Sequence, residues 1–410
     1  MKISQINVNY GFGSTGIIVR DLQSICKENG MECEVVYSQS HGKSVDTYHM
    51  GNAFSNKLHA LLSRISGKQG YFSCISTWLL LRHYDSYKPD IIHLHNLHSC
   101  YISLPMLLKY AARKSIAVVI TLHDCWFYTG GCCHYTINNC FRWKDTCGNC
   151  PARKSVNALL LDGTREMLAD RYRLFSSIKK LTAVGVSQWI TDEARKSVFK
   201  HTNCITIHNG IDTQFFHPVG KDELNRFDRS QKLFSLKEQR PDTILILCPA
   251  NKWFLDINKE TFDYFASRLT DDMRMVFIGD GCDVSQLTDK MINIGFVSSR
   301  EEIRAIYSAC DVMVNCTREE SLSLLNVEVQ ACGTPVITYS NTGVKETVNG
   351  QCGFAVKNGC PEDAWNTMIK TLENGKSAYS TECQAWAVQE FDKNKNYHQF
   401  VKLYKCIVSK

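Results

Sequence analysis

The sequence has 410 residues, a hydrophobic fraction of 44% and a formal net charge of +6. A single hydrophobic core stops growing at about 250–300 residues, so this length predicts two domains of roughly 200 residues each. The small positive charge fits an anionic substrate or a membrane surface, and it is too weak to indicate a nucleic-acid partner.

The first eight residues alternate as a strand and lack the apolar core of a signal peptide. No stretch reaches the ~18 apolar residues that span a bilayer. We therefore expect a cytoplasmic protein, with peripheral contact with the inner face of the membrane as an open alternative. In that reducing compartment the 20 cysteines are not expected to form a disulfide framework.

A glycine-rich turn follows the first predicted strand. Residues 3–8 alternate as a strand and a helical period starts at Ile17, so Gly13 and Gly16 lie at a strand-to-helix junction. Such a turn lets a phosphate or a sugar approach the backbone at the carboxyl edge of a sheet. A turn needed only for packing explains the same glycines.

Histidines lie where further buried strands are predicted to end. Residues 34–37 and 91–95 have strand composition, and His93, inside the second of these, is interpreted as a hydrogen-bonded core residue. His95, Asn96 and His98 follow at the end of that strand and are candidate acceptor-side groups. The next strand, 117–122, ends at His123.

The helix predicted over 102–115 is amphipathic and basic. Leu104, Leu107 and Leu108 lie on its apolar face, with lysines and an arginine on the other. Such a helix commonly covers a sheet and shows solvent a charged face, and binding to a membrane surface is the alternative.

A cysteine-rich insertion is predicted near 125–155. Cys147-x2-Cys150 has the spacing of half a zinc site, whereas Cys133 and Cys140, with six residues between them, form a looser second half. A structural zinc ion, reduced packing thiols and a local disulfide all fit. The insertion is predicted as a lid or flap whose aromatic residues stack on sugars, although core packing explains the same residues. They are Trp126, Phe127, Tyr128, Tyr135, Phe141 and Trp143.

The chain order of predicted elements gives the domain boundaries. We predict an N-terminal domain over 1–215, a polar linker region over 216–242 and a second domain over 243–385. Residues 386–410 are predicted as C-terminal helices that return to the first domain.

The stretch 317–346 combines two carboxylates with a helix start and a turn-rich exit. A helix is predicted to begin near Ser321–Ser323 and end at Cys332, before a glycine and a proline. Glu320 and Glu328 flank its free first-turn N–H groups, which together with the helix dipole can hold a diphosphate. The amides in question belong to Ser321, Leu322, Ser323 and Leu324. A capping box with Thr317 and Glu320, and a solvent-facing Glu328, are the alternatives.

These residues resemble a known signature. Glu320-x7-Glu328, the following Ala-Cys-Gly-Thr-Pro-Val-Ile and Gly343-x-x-Glu346 look like the motif of the retaining glycosyltransferases of family 4. The resemblance implies the GT-B fold, in which two Rossmann-like domains face a central cleft. It also implies that Glu320 contacts the transferred sugar and that Glu328 binds the ribose of the donor.

The resemblance extends to the first domain. Gly13 and Gly16 match the family's first loop, which faces the donor and acceptor, and His123 matches a histidine that hydrogen-bonds the donor sugar. Residues 207–218 resemble the segment with which the family leaves its first domain.

One part of the sequence departs from the family. Members carry a Lys-Gly pair that clamps the donor diphosphate, and Ile257-Asn258 stands at that place here. Lys252 and Lys259 are the candidate replacements, because an ammonium on a flexible stem can reach phosphate from a neighbouring position.

The resemblance implies transfer of a sugar, with retention, from a UDP- or GDP-sugar to a hydroxyl of a glycan or lipid-linked acceptor. The most similar group builds cell-surface polysaccharide of the colanic acid type. No cofactor is expected for the chemistry, since the sequence has no Asp-x-Asp motif. Two alternatives are a non-catalytic GT-B-like partner subunit, suggested by the missing Lys-Gly pair, and a sugar-nucleotide epimerase.

Overall fold

The computed structural model describes residues 1–40, 45–153 and 159–409. The chain divides into two compact units, the first comprising Met1–Asn209 with Asn394–Lys410 and the second Gly210–Lys393. Each unit contains a parallel sheet and helices, so the predicted α/β fold with two Rossmann-like domains is confirmed. Residues 154 and 155 of the predicted cysteine-rich insertion lie outside the described residues.

The described strands of the first unit are short and mostly buried. They are β1 Lys2–Ile6, β2 Asn9–Tyr10, β3 Glu32–Tyr37, β4 Gln39–Ser40, β5 Thr47–His49, β6 Ile91–Leu94, β7 Ala117–Leu122, β8 Leu181–Gly185 and β9 Asn203–Thr206. Seven of them form a parallel sheet in the order β5-β3-β1-β6-β7-β8-β9, and β2 pairs with β4. Every residue of β6 and β7 is buried, as expected for strands of a parallel sheet covered on both faces.

Helices connect these strands. They are α1 Gly13–Glu28, α2 Ala53–Ser66, α3 Cys74–Tyr87, α4 Leu104–Lys114, α5 Thr164–Ser176 and α6 Gln188–Ala194. The apolar side chains of α4 are buried, which fits the sheet-covering interpretation of this helix. The cysteine-rich insertion contains two 3₁₀ turns, Trp126–Tyr128 and Arg142–Lys144.

The second unit also consists of a parallel sheet with helices, and its sheet is smaller. Its described strands are β10 Ile244–Pro249, β11 Met273–Ile278, β12 Met291–Gly295, β13 Val312–Asn315, β14 Val336–Ser340 and β15 Gly353–Lys357. Their order is β12-β11-β10-β13-β14-β15, all parallel. Trp253 is fully buried in this core, and its indole N–H donates to the carbonyl of Val314 at 2.8 Å.

The helices of the second unit begin in the region predicted as a linker. They are α7 Lys221–Leu224, α8 Asp228–Gln239, α9 Ala250–Trp253, α10 Lys259–Ala266, α11 Arg300–Ala309, α12 Leu324–Ala331, α13 Pro361–Asn374 and α14 Ser377–Phe391. Residues 216–242 therefore hold two helices, and Arg229 of α8 forms an ion pair with Glu302 of α11 at 3.1 Å. This region is an ordered part of the second unit.

The chain end passes from the second unit to the first. A break at Asp392 separates α14 from α15 Lys393–Ser409, and the unit boundary falls between Lys393 and Asn394. Within the first unit, the Tyr404 hydroxyl of α15 lies 2.6 Å from Nδ1 of His93. None of the described helices is both long and apolar enough to cross a membrane.

Candidate active site

The N-terminal end of α12 presents backbone amides that no side chain caps. Ser323 is the N-cap residue, in an extended conformation, and its hydroxyl makes no capping hydrogen bond. Since the helix begins at Leu324, the capping-box interpretation of Thr317 and Glu320 is wrong. The first-turn N–H groups and the positive end of the helix dipole are therefore available to an anion.

Glu320 is held by its backbone and leaves its carboxylate unpaired. The Thr342 hydroxyl donates to the carbonyl of Glu320 at 2.6 Å and lies 3.1 Å from its N–H. Thr342 itself has a φ of 38°, a strained value for a β-branched residue. Oε2 of Glu320 and the hydroxyl of Ser321 are buried without a hydrogen-bond partner among the described residues. Buried polar atoms of this kind need a partner, and sugar hydroxyls would supply one.

Glu328 lies on the second turn of α12 and is half-buried. Burial raises the pKa of its carboxyl to about 7, against the opposing positive charge of Arg300 on α11. The solvent-facing interpretation of Glu328 is therefore wrong. A ligand diol donating two hydrogen bonds would stabilise the ionised form here.

The two candidate lysines differ in their surroundings. Lys259, the first residue of α10, is exposed and forms an ion pair with Asp263 at 3.0 Å. Lys252 on α9 has no ion-pair partner among the described residues. Burial raises the pKa of Cys316, just beyond β13, while the positive charges of Arg318 and Lys252 lower it. The structure thus places Lys252, and not Lys259, with a second cation at the end of β13.

That second cation, Arg318, was not identified from the sequence. Its Nε donates to Oδ1 of Asn258 at 2.7 Å, and its Nη2 donates to the carbonyl of Ile257 at 3.0 Å. The pair that replaces the expected Lys-Gly therefore positions an arginine instead. The available signal was a basic residue inside the motif, two positions before Glu320.

In the first unit, three histidines follow one another across the ends of β6 and β7. We call His93, His95 and His123 the histidine cluster. Nδ1 of His95 lies 3.0 Å from Nε2 of His123, and Nε2 of His95 lies 3.2 Å from Oε1 of Gln5. His93 bonds Tyr404 and, at 2.8 Å, the Thr121 hydroxyl, which agrees with its structural interpretation.

Burial keeps the histidine cluster neutral, and hydrogen bonds fix the tautomers of His95 and His123. It lowers the pKa of His123 to about 4 and that of His95 well below its usual value. Nε2 of Gln5 donates to the carbonyl of Val19 at 3.2 Å, so Oε1 of Gln5 accepts the Nε2 proton of His95. A neutral His95 then accepts at Nδ1 from the Nε2–H of His123. The remaining nitrogen, Nδ1 of His123, is a hydrogen-bond acceptor, and no described residue donates to it.

The other first-unit candidates lie nearby in different roles. His98 pairs with Asp124 at 3.0 Å; although burial disfavours its charged form, that hydrogen bond and charge raise the pKa of His98. Asn96 contributes its backbone N–H to Oδ1 of Asn7 at 3.1 Å. The structure therefore brings His95, His98 and His123 to one region. Asn96 takes part there through its backbone N–H, which is already used by Asn7.

The two candidate glycines both satisfy backbone requirements. Gly13 opens α1 with a φ of 64°, which favours glycine, and the N-cap Phe12 gives no side-chain cap. A Cβ on Gly16 would lie 3.1 Å from Cβ of Asn9. Close packing therefore accounts for Gly16, and α1 keeps an uncapped N-terminal end.

The predicted cysteine set is rearranged by one position. Cys140, Cys147 and Cys150 line one cavity, and the fourth cysteine in its wall is Cys132. Cys133 lies elsewhere: among the described residues, it forms the group with His98 and Asp124 whose donor atoms are within 4.8 Å of one another. Adjacent cysteines point to different sides of the chain, which spacing alone does not show.

Glycosyltransferases of known structure share this architecture over nearly the whole chain. Sucrose-phosphate synthase from Thermosynechococcus elongatus matches with a TM-score of 0.68 and 15% identity, covering 100% of this chain and 99% of that one. Anabaena HepE, solved with UDP-glucose, matches with a TM-score of 0.65 and 15% identity, covering 99% and 100%. The protein thus has the GT-B fold, as its sequence predicted.

Two family models give the particular group. Glycosyltransferase Family 4 matches residues 18–215, and Glycosyl transferases group 1 matches residues 251–374. The chain is a glycosyltransferase with a Family 4 domain in its first half and a group 1 domain in its second. It is also 22% identical over 378 residues to the putative colanic acid biosynthesis glycosyl transferase WcaC of Escherichia coli K12, covering 87% of each chain.

Proposed function

We propose that the protein transfers a sugar, with retention of configuration, from a UDP- or GDP-sugar to a hydroxyl of a glycan or lipid-linked acceptor. The N-terminal end of α12 carries this proposal. There, uncapped amides stand between the unpaired carboxylate of Glu320 and the half-buried carboxylate of Glu328. The arrangement offers donors to a diphosphate and acceptors to the hydroxyls on either side of it.

Each group has a defined role in the proposed reaction. The α12 amides, Lys252 and Arg318 stabilise the charge that develops on the departing diphosphate. Glu328 accepts hydrogen bonds from the two ribose hydroxyls. Glu320 and Ser321 hydrogen-bond hydroxyls of the transferred sugar. These groups all belong to the second unit, and no cofactor enters the proposed chemistry.

In the proposed reaction, the first unit provides a neutral hydrogen-bond acceptor and no charged group. His123 is neutral at physiological pH, and its open Nδ1 takes a hydrogen bond from a hydroxyl of the transferred sugar. His95 holds the ring in this tautomer through the 3.0 Å contact with Nε2. In this proposal Gly13 lets the substrate approach the backbone before α1, Gly16 packs that turn against Asn9, and His98 interacts with the acceptor.

The comparisons support the substrate class. HepE of known structure holds UDP-glucose, and WcaC is named for colanic acid biosynthesis. We therefore infer that the acceptor belongs to a cell-surface polysaccharide pathway. The identities of the donor sugar and of the nucleotide base are the first to determine.

A membrane surface is the proposed location of a lipid-linked acceptor. Large apolar side chains are exposed along one face of α2 and on α3, and basic residues stand among them. The apolar ones are Phe54, Leu58, Leu61, Ile65, Ile75, Trp78 and Leu79, and the basic ones are Lys57, Arg64 and Arg82. Such a face suits an anionic bilayer interface. Flotation with anionic phospholipid vesicles should be lost in Phe54→Ser/Leu61→Ser, and equal flotation of this variant would contradict membrane docking by this face.

Calorimetric titration with UDP-, GDP- and ADP-sugars tests the donor site. We expect one base to bind selectively, Glu328→Gln to weaken that binding, and the exposed control Glu373→Gln to leave it unchanged. Absence of binding by any nucleotide sugar to the folded protein would contradict the proposal.

Turnover with the selected donor tests the reaction. An acceptor-dependent product with the anomeric configuration of the donor, read by NMR, is the expected result. Donor conversion without an acceptor would instead identify an epimerase, and tight binding without any turnover on polysaccharide acceptors would identify a partner subunit.

A further inference from the structure

Four cysteines of the first unit line a single small cavity. Cys132, Cys140, Cys147 and Cys150 converge on it within the cysteine-rich insertion, together with Arg142 and Trp143. The cavity has a volume of about 20 Å³, enough for one water-sized species. Four cysteine thiolates are a ligand set that zinc prefers. No three of these four sulfur atoms lie within 4.8 Å of one another among the described residues, so a bound ion would draw them together.

The turn between Cys147 and Cys150 is fixed by several hydrogen bonds. Gly148 has a φ of 122° and Asn149 a φ of 49°, so the chain reverses sharply between the two thiols. Arg142 Nη1 donates to both carbonyls of this turn, at 2.7 Å for Gly148 and 2.6 Å for Asn149. The N–H of Cys150 donates to Asp162 at 2.8 Å. The backbone turn that carries the two thiols is therefore fixed.

Backbone donors already point at the sulfur atoms. The N–H groups of Gly130 and Ala152 donate to the sulfurs of Cys147 and Cys150 respectively. A Cβ at residue 130 would lie 2.9 Å from Sγ of Cys147, so only glycine permits this approach. The Cys132 thiol hydrogen-bonds Cys150 directly.

Buried donors around the cavity lack acceptors. The indole N–H of Trp143 is buried in the cavity wall without a partner, and Nε and Nη2 of Arg171 are likewise unpaired among the described residues. Arg171 is fully buried on α5, where it stacks on Trp126 at 4.3 Å and interacts electrostatically with Cys132 and Cys147. Nη1 of Arg171 donates to the carbonyl of Thr129, which leaves two N–H groups of a buried positive charge without acceptors. Such a charge is costly unless a negative charge faces it.

We propose that Cys132, Cys140, Cys147 and Cys150 bind a structural Zn²⁺ ion. Binding releases four thiol protons and forms four Zn–S bonds, so the occupied site carries a net charge of −2. The Arg171 guanidinium offsets one unit of that charge, and the thiolate sulfurs accept from the orphaned N–H groups. The assignment is independent of the proposed sugar transfer.

The group formed by His98, Asp124 and Cys133 is a poorer cation site. Both oxygens of Asp124 are already used, Oδ2 by His98 at 3.0 Å and Oδ1 by the N–H of Trp126 at 2.8 Å. The positive charge of Arg171 also acts on His98 and Cys133. A second cation would be repelled there.

The metal content of the purified full chain shows whether Cys132 or Cys133 is the fourth zinc ligand. We expect about one zinc per wild-type chain and per Cys133→Ser chain by mass-spectrometric elemental analysis, and loss of zinc in Cys132→Ser. Retention of zinc in Cys132→Ser with loss in Cys133→Ser would overturn the assignment.

A measurement on the unmodified protein covers the case in which a variant fails to fold. X-ray absorption at the zinc edge should show four sulfur ligands at about 2.3 Å. Nitrogen or oxygen ligands in the first shell, a metal-free protein with all four thiols titratable, or a Cys132–Cys150 disulfide in non-reduced mass spectra would each overturn the proposal.

Discussion

The N-terminal end of α12 and the histidine cluster prepare for a ligand in opposite ways. At α12, Oε2 of Glu320 and the Ser321 hydroxyl have no hydrogen-bond partner among the described residues, and no described side chain caps the first-turn amides. In the histidine cluster every ring nitrogen except Nδ1 of His123 has a hydrogen-bond partner among the described residues. The first arrangement suits charge and several hydroxyls, whereas the second suits one hydrogen bond of fixed direction.

This comparison predicts that changes near α12 have the larger effects. Glu320→Gln should lower kcat about 10²–10³-fold, since the carboxylate acts on groups that change in the transition state. The Kd of the nucleotide sugar should rise much less than kcat falls, because glutamine keeps one acceptor oxygen for the sugar hydroxyls and because Glu328 and the amides remain. Steady-state kinetics with calorimetry separate the two quantities. A kcat within about twofold of wild type would remove Glu320 from the proposed catalysis.

The cations of the second unit should matter next. Lys252→Ala and Arg318→Ala should each raise the Kd of the nucleotide sugar about tenfold, because hydrogen bonds to charged groups contribute about 1.5–3 kcal/mol. Lys259→Ala is the matched control, since its ammonium already pairs with Asp263. A large effect of Lys259→Ala with none of Arg318→Ala would reverse the assignment.

Glu328 should give nucleotide-sugar binding a pH dependence. Its folded-state pKa of about 7 means that the carboxylate is mostly protonated below that pH. If the ionised form accepts the ribose hydroxyls, the affinity should rise by up to about tenfold per pH unit below 7 and level off above. In Glu328→Gln this dependence should vanish. A flat wild-type profile between pH 5.5 and 8 would contradict the role.

His123 should have the smallest and most directional effect. His123→Asn keeps an acceptor near the position of Nδ1, so it should retain several-fold more activity than His123→Ala. Because burial holds the pKa of His123 near 4, His123→Asn should leave the pH dependence of kcat between pH 6 and 8 unchanged. Equal activity of the two variants would show that the open Nδ1 is not used.

The sequence predicted the α12 region well because its information is local. Glu320, the helix start and Glu328 lie within nine residues, so helical period and turn residues suffice to place them. Arg318 was missed for the opposite reason. Its partners, Ile257 and Asn258, lie about sixty residues earlier and meet it only through the sheet order.

Other differences arise from long-range contacts too. The tautomer of His123 depends on Gln5 through His95, and no spacing rule connects residues on three strands. The exchange of Cys133 for Cys132 follows from the backbone direction at one peptide. Fold class needs only periodicity, whereas the chemistry of a site needs the register of distant strands.

A crystal structure with the bound nucleotide product tests the central claim most directly. We predict that the diphosphate oxygens accept from the first-turn N–H groups of α12 and that the ribose hydroxyls contact Glu328. A diphosphate bound instead at the N-terminal end of α1, beside Gly13, with α12 empty, would contradict the account.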